Sequence, residues 1–188
     1  HHLVARSTKI INKNELTNFF SKFDYIVESE FIPYISYPYE WSFEQLKCAA
    51  IHHLDFQIFL FSKSAVLRDA SAYNIQFIGS KPVFIDLLSI KEYQEGEHWS
   101  GYKQFCENFL NPLLLGSLKG IQHNAWFRGK LEGISTVELN KLLSISDKLS
   151  LKVLTHVYLH SKLNTKNIVE TKNHSILMTL PKKRAKDL

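Results

Sequence analysis

Asp69 and Asn74, in the run Leu67-Arg68-Asp69-Ala70-Ser71-Ala72-Tyr73-Asn74, and Asp86, in Ile85-Asp86, are the residues whose types and spacing best suit chemistry. Two carboxylates and a carboxamide offer hard oxygen ligands of the kind that Mg²⁺ takes. An Asp beside an acceptor hydroxyl can orient it and take its proton, help worth about 10²–10⁴ in rate. The set therefore suits phosphoryl transfer, with Asp69 as base, Arg68 beside it, and Asn74 and Asp86 as metal ligands. A plainer reading stands next to this one: Asp69 and Asn74 cap a turn, and Asp86 ends a strand.

These residues need elements to hold them. Ser42 reads as a helix N-cap, with Gln45 completing a capping box and Glu44 near the positive end of the dipole. Phe43, Leu46, Ala50, Leu54, Ile58 and Phe61 follow at spacings of three and four, which predicts a helix over about 43–62 leading into Arg68-Asp69. A hairpin follows. A three-residue loop Gly79-Ser80-Lys81 would pair Ile75 with Ile85 and Phe77 with Val83, placing four apolar side chains on one face. That register sets Asn74 opposite Asp86, with Cβ atoms roughly 4.5–5.5 Å apart.

Upstream, a short helix over about 14–21, a strand at Tyr25-Ile26-Val27, and a strand or extended hinge over Phe31 to Tyr37 are expected, with Pro33 and Pro38 restricting the last. Downstream, Glu92 to Ser100 reads as a polar loop. Helices are expected over about 101–110, on past Pro112, over 135–143 and over 147–162.

The order of Arg68-Asp69, Asn74 five residues after the Asp, a hairpin and Ile85-Asp86 resembles the catalytic loop of kinase-type phosphotransferases. Departures are visible. Leu67 stands where His is common, Leu87-Leu88 follows Asp86 in place of Phe-Gly, and neither a Gly-rich phosphate loop nor a Val-Ala-Ile-Lys strand precedes the helix. A second resemblance is longer. Phe31 through Phe43, Arg68 through Phe77, Lys81 through Asp86, and Leu154-Thr155-His156-Val157-Tyr158-Leu159-His160 are similar to the N-terminal region of a bacterial family of class I SAM-dependent methyltransferases, or NoeA-like nodulation proteins, over about residues 25–185. The resemblance implies a parent with a methyltransferase domain in cis, which would hold S-adenosylmethionine outside this chain. It also suggests a small-molecule or glycan substrate.

Composition sets the remaining bounds. The chain has 188 residues, 45% of them hydrophobic and 13% aromatic, which is enough for one domain with a sizeable core. The net charge of +5 gathers partly in Pro181-Lys182-Lys183-Arg184-Ala185-Lys186, which reads as a solvated tail or linker rather than a nucleic-acid surface. No apolar run reaches the roughly 18 residues of a membrane span. His1-His2 without Met reads as a tag remnant or a truncated start, and no secretory segment opens the chain, so a cytoplasmic protein is expected. Cys48 and Cys106 read as buried thiols.

His156 and His160, four apart, lack a third metal ligand, and adjacent His52 and His53 point apart on a helix. Tyr34, Tyr37, Tyr39 and Trp41 either pack on the helix or stack on a ligand base, and Trp99 and Tyr102 read as core.

Together these readings give an α+β, mainly helical fold resembling a protein-kinase C-lobe: a long helix, a catalytic-type loop, a β-hairpin and following helices. Residues 1–24 form an N-terminal segment, 25–180 the domain and 181–188 the tail. Two functions stay open. One is a phosphotransfer module using Mg²⁺ and ATP. The other is a non-catalytic, pseudokinase-like accessory domain that positions substrate for the attached methyltransferase.

Overall fold

The computed structural model describes residues 3–4, 7–10 and 27–149, together with Val153 and Val157. The expected helix over 14–21, the residues Tyr25 and Ile26, His156, His160 and the basic tail lie outside these residues.

The fold is α+β and largely helical. Strands β1 (Ser7–Ile10) and β2 (Val27–Ser29) pair antiparallel. An extended segment then runs to Trp41 without strand pairing. It turns at Pro38 and enters α1 (Phe43–Ser62), whose start carries the expected capping box between Ser42 and Gln45.

The face that α1 buries differs from the expected stripe. Leu46, Ala49, Ala50, His52, His53, Phe56, Gln57 and Leu60 are buried, whereas Phe43, Leu54 and Ile58 are exposed. Leu46, Ala50, His53, Gln57 and Leu60 do follow helical spacing, but His53 and Gln57 occupy the core line and disguise it. Cys48 is exposed, contrary to expectation, because it lies off this line; Cys106 is buried.

After α1 the chain reverses through Ser64, which adopts φ +58°, into β3 (Ala65–Leu67). β3 pairs antiparallel with β6 (Ile90–Glu92), a strand that the sequence does not announce. Between them lies the hairpin β4 (Ile75–Ile78) and β5 (Lys81–Phe84). Its register is one residue tighter than expected: Ile75 pairs with Phe84, Gln76 with Val83, Phe77 with Pro82 and Ile78 with Lys81. The loop is therefore Gly79-Ser80, with Gly79 at φ +62° as a two-residue hairpin turn favours.

The tighter register has a physical reason. It requires Gln76 on a buried face, and Gln76 is satisfied there. Its amide accepts from Ser36 N and donates to Ser36 O, both at 3.0 Å, so the extended segment acts toward the side chain as a neighbouring strand would. Leu3 and Val4 run along β5, with Phe84 N donating to Leu3 O at 3.1 Å.

The second half is helical. α2 (Tyr102–Phe105) passes into a π-helical turn, Cys106–Leu110, and then into α3 (Asn111–Lys119); Pro112 lies inside this continuous run and has no N–H to donate, and Glu107 O, about one turn before it, accepts from Ile134 N at 3.0 Å. Next come α4 (Asn124–Gly129), α5 (Thr136–Leu142) and α6 (Ile145–Lys148). α4 was not expected. Its first residues clamp the extended segment: His123 lies 3.2 Å from Pro38 O, and Asn124 Nδ2 donates to Tyr39 O and Trp41 O.

One hydrophobic cluster joins Trp41, α1, the hairpin, Trp99, Phe105 and Phe109, with half-buried Tyr102 against it. A second joins Leu115, Ile134, Leu139, Leu143, Val153 and Val157. No helix among the described residues is long and apolar enough to cross a membrane.

Candidate functional site

The segment from Leu67 to Ala72 leaves the β3–β6 pair and is fixed from two sides. Leu67 N donates to Gln57 Oε1 at 2.9 Å, and Leu67 O accepts from Trp99 Nε1 at 3.0 Å. Arg68 N donates to Ser89 O at 2.6 Å, and Arg68 O accepts from Ser100 Oγ at 2.7 Å. Ala70 N donates to Gln104 Oε1 at 2.9 Å and Ala72 N to Asn108 Oδ1 at 3.0 Å. Ala70 and Ala72 are fully buried. Side chains of α1, α2 and the π-helical turn, those of Trp99 and Ser100, and the Ser89 carbonyl thus pair these backbone groups.

Gly101 packs directly on the loop. A Cβ there would lie 3.2 Å from the Asp69 carbonyl carbon and 2.8 Å from Trp99 Nε1, so only glycine fits without a shift. Gln57, Gln104, Asn108 and Gly101 are functional supports that the sequence reasoning passed over. The available signal was amide side chains at core positions of helices.

Asn74 closes a 3₁₀ turn, Ala72–Asn74, that begins with Ser71 Oγ accepting from Tyr73 N. Asp86 caps a second 3₁₀ turn, Leu87–Ser89, through Oδ1, which accepts from Leu88 N at 3.1 Å. In the observed register Asn74 faces Ile85, whose N–H donates to Asn74 O at 2.9 Å, so Asp86, the expected partner, lies one residue beyond the position opposite Asn74. The turns nonetheless bring the three side chains together. Asn74 Nδ2 donates to Asp69 Oδ1 at 2.7 Å and to Asp86 Oδ2 at 3.4 Å. Arg68 contributes an exposed side chain beside them.

Burial holds the Asp69 carboxyl above its ordinary value, and the neighbouring Asp86 charge adds to this. Hydrogen bonds from Ser71 N–H and Asn74, and the Arg68 charge, pull the other way. Burial and a like charge both disfavour the ionised form of Asp69. The amide N–H₂ of Asn74 is spent on the carboxylates, and its carbonyl oxygen remains as an acceptor. Asp86, Asn74 and Asp69 are thus hard oxygen donors that suit Mg²⁺, which keeps several of its waters when protein-bound. Among the described residues no group of three or more His, Cys, Asp or Glu side chains could hold a metal ion.

The flanking aromatics divide. Trp41 is buried and its Nε1 donates to Ser36 Oγ at 2.9 Å, while Tyr34 is exposed. Tyr37 stacks on Tyr39, with ring centroids 5.3 Å apart and planes 13° from parallel, and Tyr37 also meets Tyr73, the neighbour of Asn74.

The chain is similar to nodulation protein NoeA of Rhizobium meliloti (strain 1021), with 48% identity over 147 residues, or 78% of this chain and 31% of that protein. The chain spans about a third of the length of the curated relative it matches. No family model matches the chain, and no solved structure matches it.

Proposed function

We propose that this NoeA-like chain is a kinase-like module whose Asp69, Asn74 and Asp86 form a Mg²⁺-dependent phosphotransfer corner, attached in its parent to a methyltransferase domain. The observation that carries the reading is the Asn74 amide donating to both carboxylates at once. A turn-capping role accounts for the Asp86 bond to Leu88 N, but it gives no reason to bring Asp69 against Asp86. Two carboxylates repel, and a cation between or beside them relieves that cost.

Asp69 takes the proton of an acceptor hydroxyl, and its raised basicity suits that role. Asn74 fixes the Asp69 carboxylate by the 2.7 Å bond to Oδ1, and Ser71 N–H adds a second bond to the same carboxylate. Asp86 and the Asn74 carbonyl oxygen are the metal ligands. When bound, Mg²⁺ supplies charge neutralisation on the transferring phosphoryl group. The rigid loop backbone excludes rearrangement of the base during the step. Resemblance to kinase loops supports ATP as donor, and resemblance to the methyltransferase family supports an S-adenosylmethionine site elsewhere in the parent.

Calorimetry with Mg–ATP on the full-length parent, with and without Asp86→Ala, tests the reading. Binding that is lost in the variant supports it. No nucleotide binding by the folded parent would instead favour a non-catalytic domain that positions substrate for the methyltransferase.

A further inference from the structure

α1 is apolar on two sides. Its inner line, Leu46, Ala50, His53, Gln57 and Leu60, enters the core. On its outer side Phe43, Leu54 and Phe59 are each 37% exposed, Ile58 46% and Ile51 52%. A surface helix turns polar residues outward, whereas one apolar all round is covered all round.

The outer residues have an order that points to what covers them. Phe43, Lys47, Ile51, Asp55 and Phe59 recur at intervals of four, and all five are exposed. Residues four apart form a ridge inclined to the helix axis. Two such ridges lie side by side when helices cross at about 50°, the commonest helix packing in globular proteins. Read backwards, this ridge is Phe, Asp, Ile, Lys, Phe, so it complements an antiparallel copy of itself. Phe43 of each copy meets Phe59 of the other, Lys47 meets Asp55 at two places, and Ile51 meets Ile51 on the two-fold axis. A parallel pairing would set Lys47 against Lys47 and Asp55 against Asp55.

The charges are available for this contact. Within one copy Lys47 and Asp55 stand two turns apart, about 12 Å along the axis, too far to pair. Lys47 reaches Glu44 at 3.2 Å on open surface, a contact worth little, and Asp55 makes no ion pair among the described residues. The end rings are held in place: Phe43 rests on Gly116 of α3, and Lys63 Nζ lies 6.0 Å from the centroid of Phe59. Leu54 and Ile58 widen the apolar surface beside the ridge.

We propose that α1 is the interface of a homodimer, in which a second copy of this chain seats antiparallel on the ridge Phe43, Lys47, Ile51, Asp55 and Phe59. The contact is isologous, the symmetry of most soluble dimers. Each Asp69 loop follows the C-terminal end of its own α1, so the two loops lie at opposite ends of the paired helices. A single helix pair is a small interface, which sets the dissociation constant on the order of 10–100 µM.

Sedimentation equilibrium of the 188-residue chain, loaded from about 5 to 500 µM, tests the proposal. The mass climbs from the 21.9 kDa of one chain toward twice that value. Lys47→Asp and Asp55→Lys each bring like charges together at both pairs and weaken association about tenfold. The double variant Lys47→Asp/Asp55→Lys recovers the original affinity, and since the two side chains do not meet within one copy, recovery arises only across the interface. Ile51→Glu, on the axis, leaves monomers with unchanged far-ultraviolet circular dichroism. A chain that stays at the single mass throughout overturns the proposal and leaves the face to another part of the parent. A dimer indifferent to Ile51→Glu, or a double variant no tighter than the single ones, overturns it as well.

Discussion

His53 offers a quantitative test of the core beneath the site. It is fully buried, with its ring centroid 5.9 Å from Phe84, 6.0 Å from Trp99, 5.8 Å from Phe105 and 5.6 Å from Phe109. Neither ring nitrogen meets a partner on another residue. Burial, with help from adjacent His52, pushes its pKa down from 6.5 to about 4. The folded protein therefore binds this proton more weakly than the unfolded chain. Stability is complete above pH 6.5, falls as pH drops through the window from 6.5 to 4, and levels off below it. At 1.36 kcal/mol per pH unit the loss attributable to His53 is about 3 kcal/mol.

His53→Leu keeps the volume close and removes two unsatisfied nitrogens, so at pH 8 its stability should lie within about 1 kcal/mol of the parent or above it. Urea denaturation of both proteins, followed by tryptophan fluorescence between about pH 8 and pH 4.5, gives the difference between their pH profiles. Buried His123, also lowered by burial, titrates in both proteins and cancels, whereas His52, likewise lowered, loses its coupling to His53 in the variant and cancels only in part. The gap between the profiles should widen in favour of the variant as pH falls. Parallel profiles would refute the assignment of a neutral, uncompensated His53.

Three further outcomes follow from the same geometry. Gln76→Leu leaves Ser36 N and O without their partner and should cost about 2–3 kcal/mol in urea denaturation, although Leu is the more apolar side chain. Gly133 adopts φ +77°, and a Cβ there would collide with the Glu107 carbonyl oxygen, so Gly133→Ala should cost more than about 2 kcal/mol and lower the melting temperature by several degrees. Asp86→Asn removes the second-largest cause of the raised Asp69 pKa, so the Asp69 carboxyl should titrate at lower pH, as read by its carbonyl carbon resonance. An unchanged or higher midpoint would contradict the proximity of the two acids.

Much of the site was legible because it is local. The capping box at Ser42 fixes the start of α1 from four residues, and the short turns at Ala72–Asn74 and Leu87–Ser89 bring Asp69, Asn74 and Asp86 together from within one stretch of chain. The errors came where a polar side chain does a core residue's work. Counting apolar residues placed Leu54 and Ile58 inside and overlooked His53 and Gln57. The same count chose the three-residue hairpin loop, which would put Ile75, Ile85, Phe77 and Val83 on one face, whereas the observed register buries Gln76. Only Ser36, forty residues away, makes that register favourable. The pairing of β3 with β6 and the clamp of α4 on the segment at Pro38 to Trp41 also depend on partners distant in sequence, which periodicity cannot supply.

The central claim is that Asn74 and Asp86 hold a divalent cation beside Asp69. Mn²⁺ serves as a paramagnetic stand-in for Mg²⁺, and water-proton relaxation counts bound ions directly. The 188-residue chain should bind one Mn²⁺ that Mg²⁺ displaces, and Asp86→Ala should weaken it about tenfold or more while far-ultraviolet circular dichroism stays unchanged. Asp147→Ala, at a surface cap remote in sequence, should leave the affinity as it was. No bound Mn²⁺, or equal weakening by the two substitutions, would contradict the account.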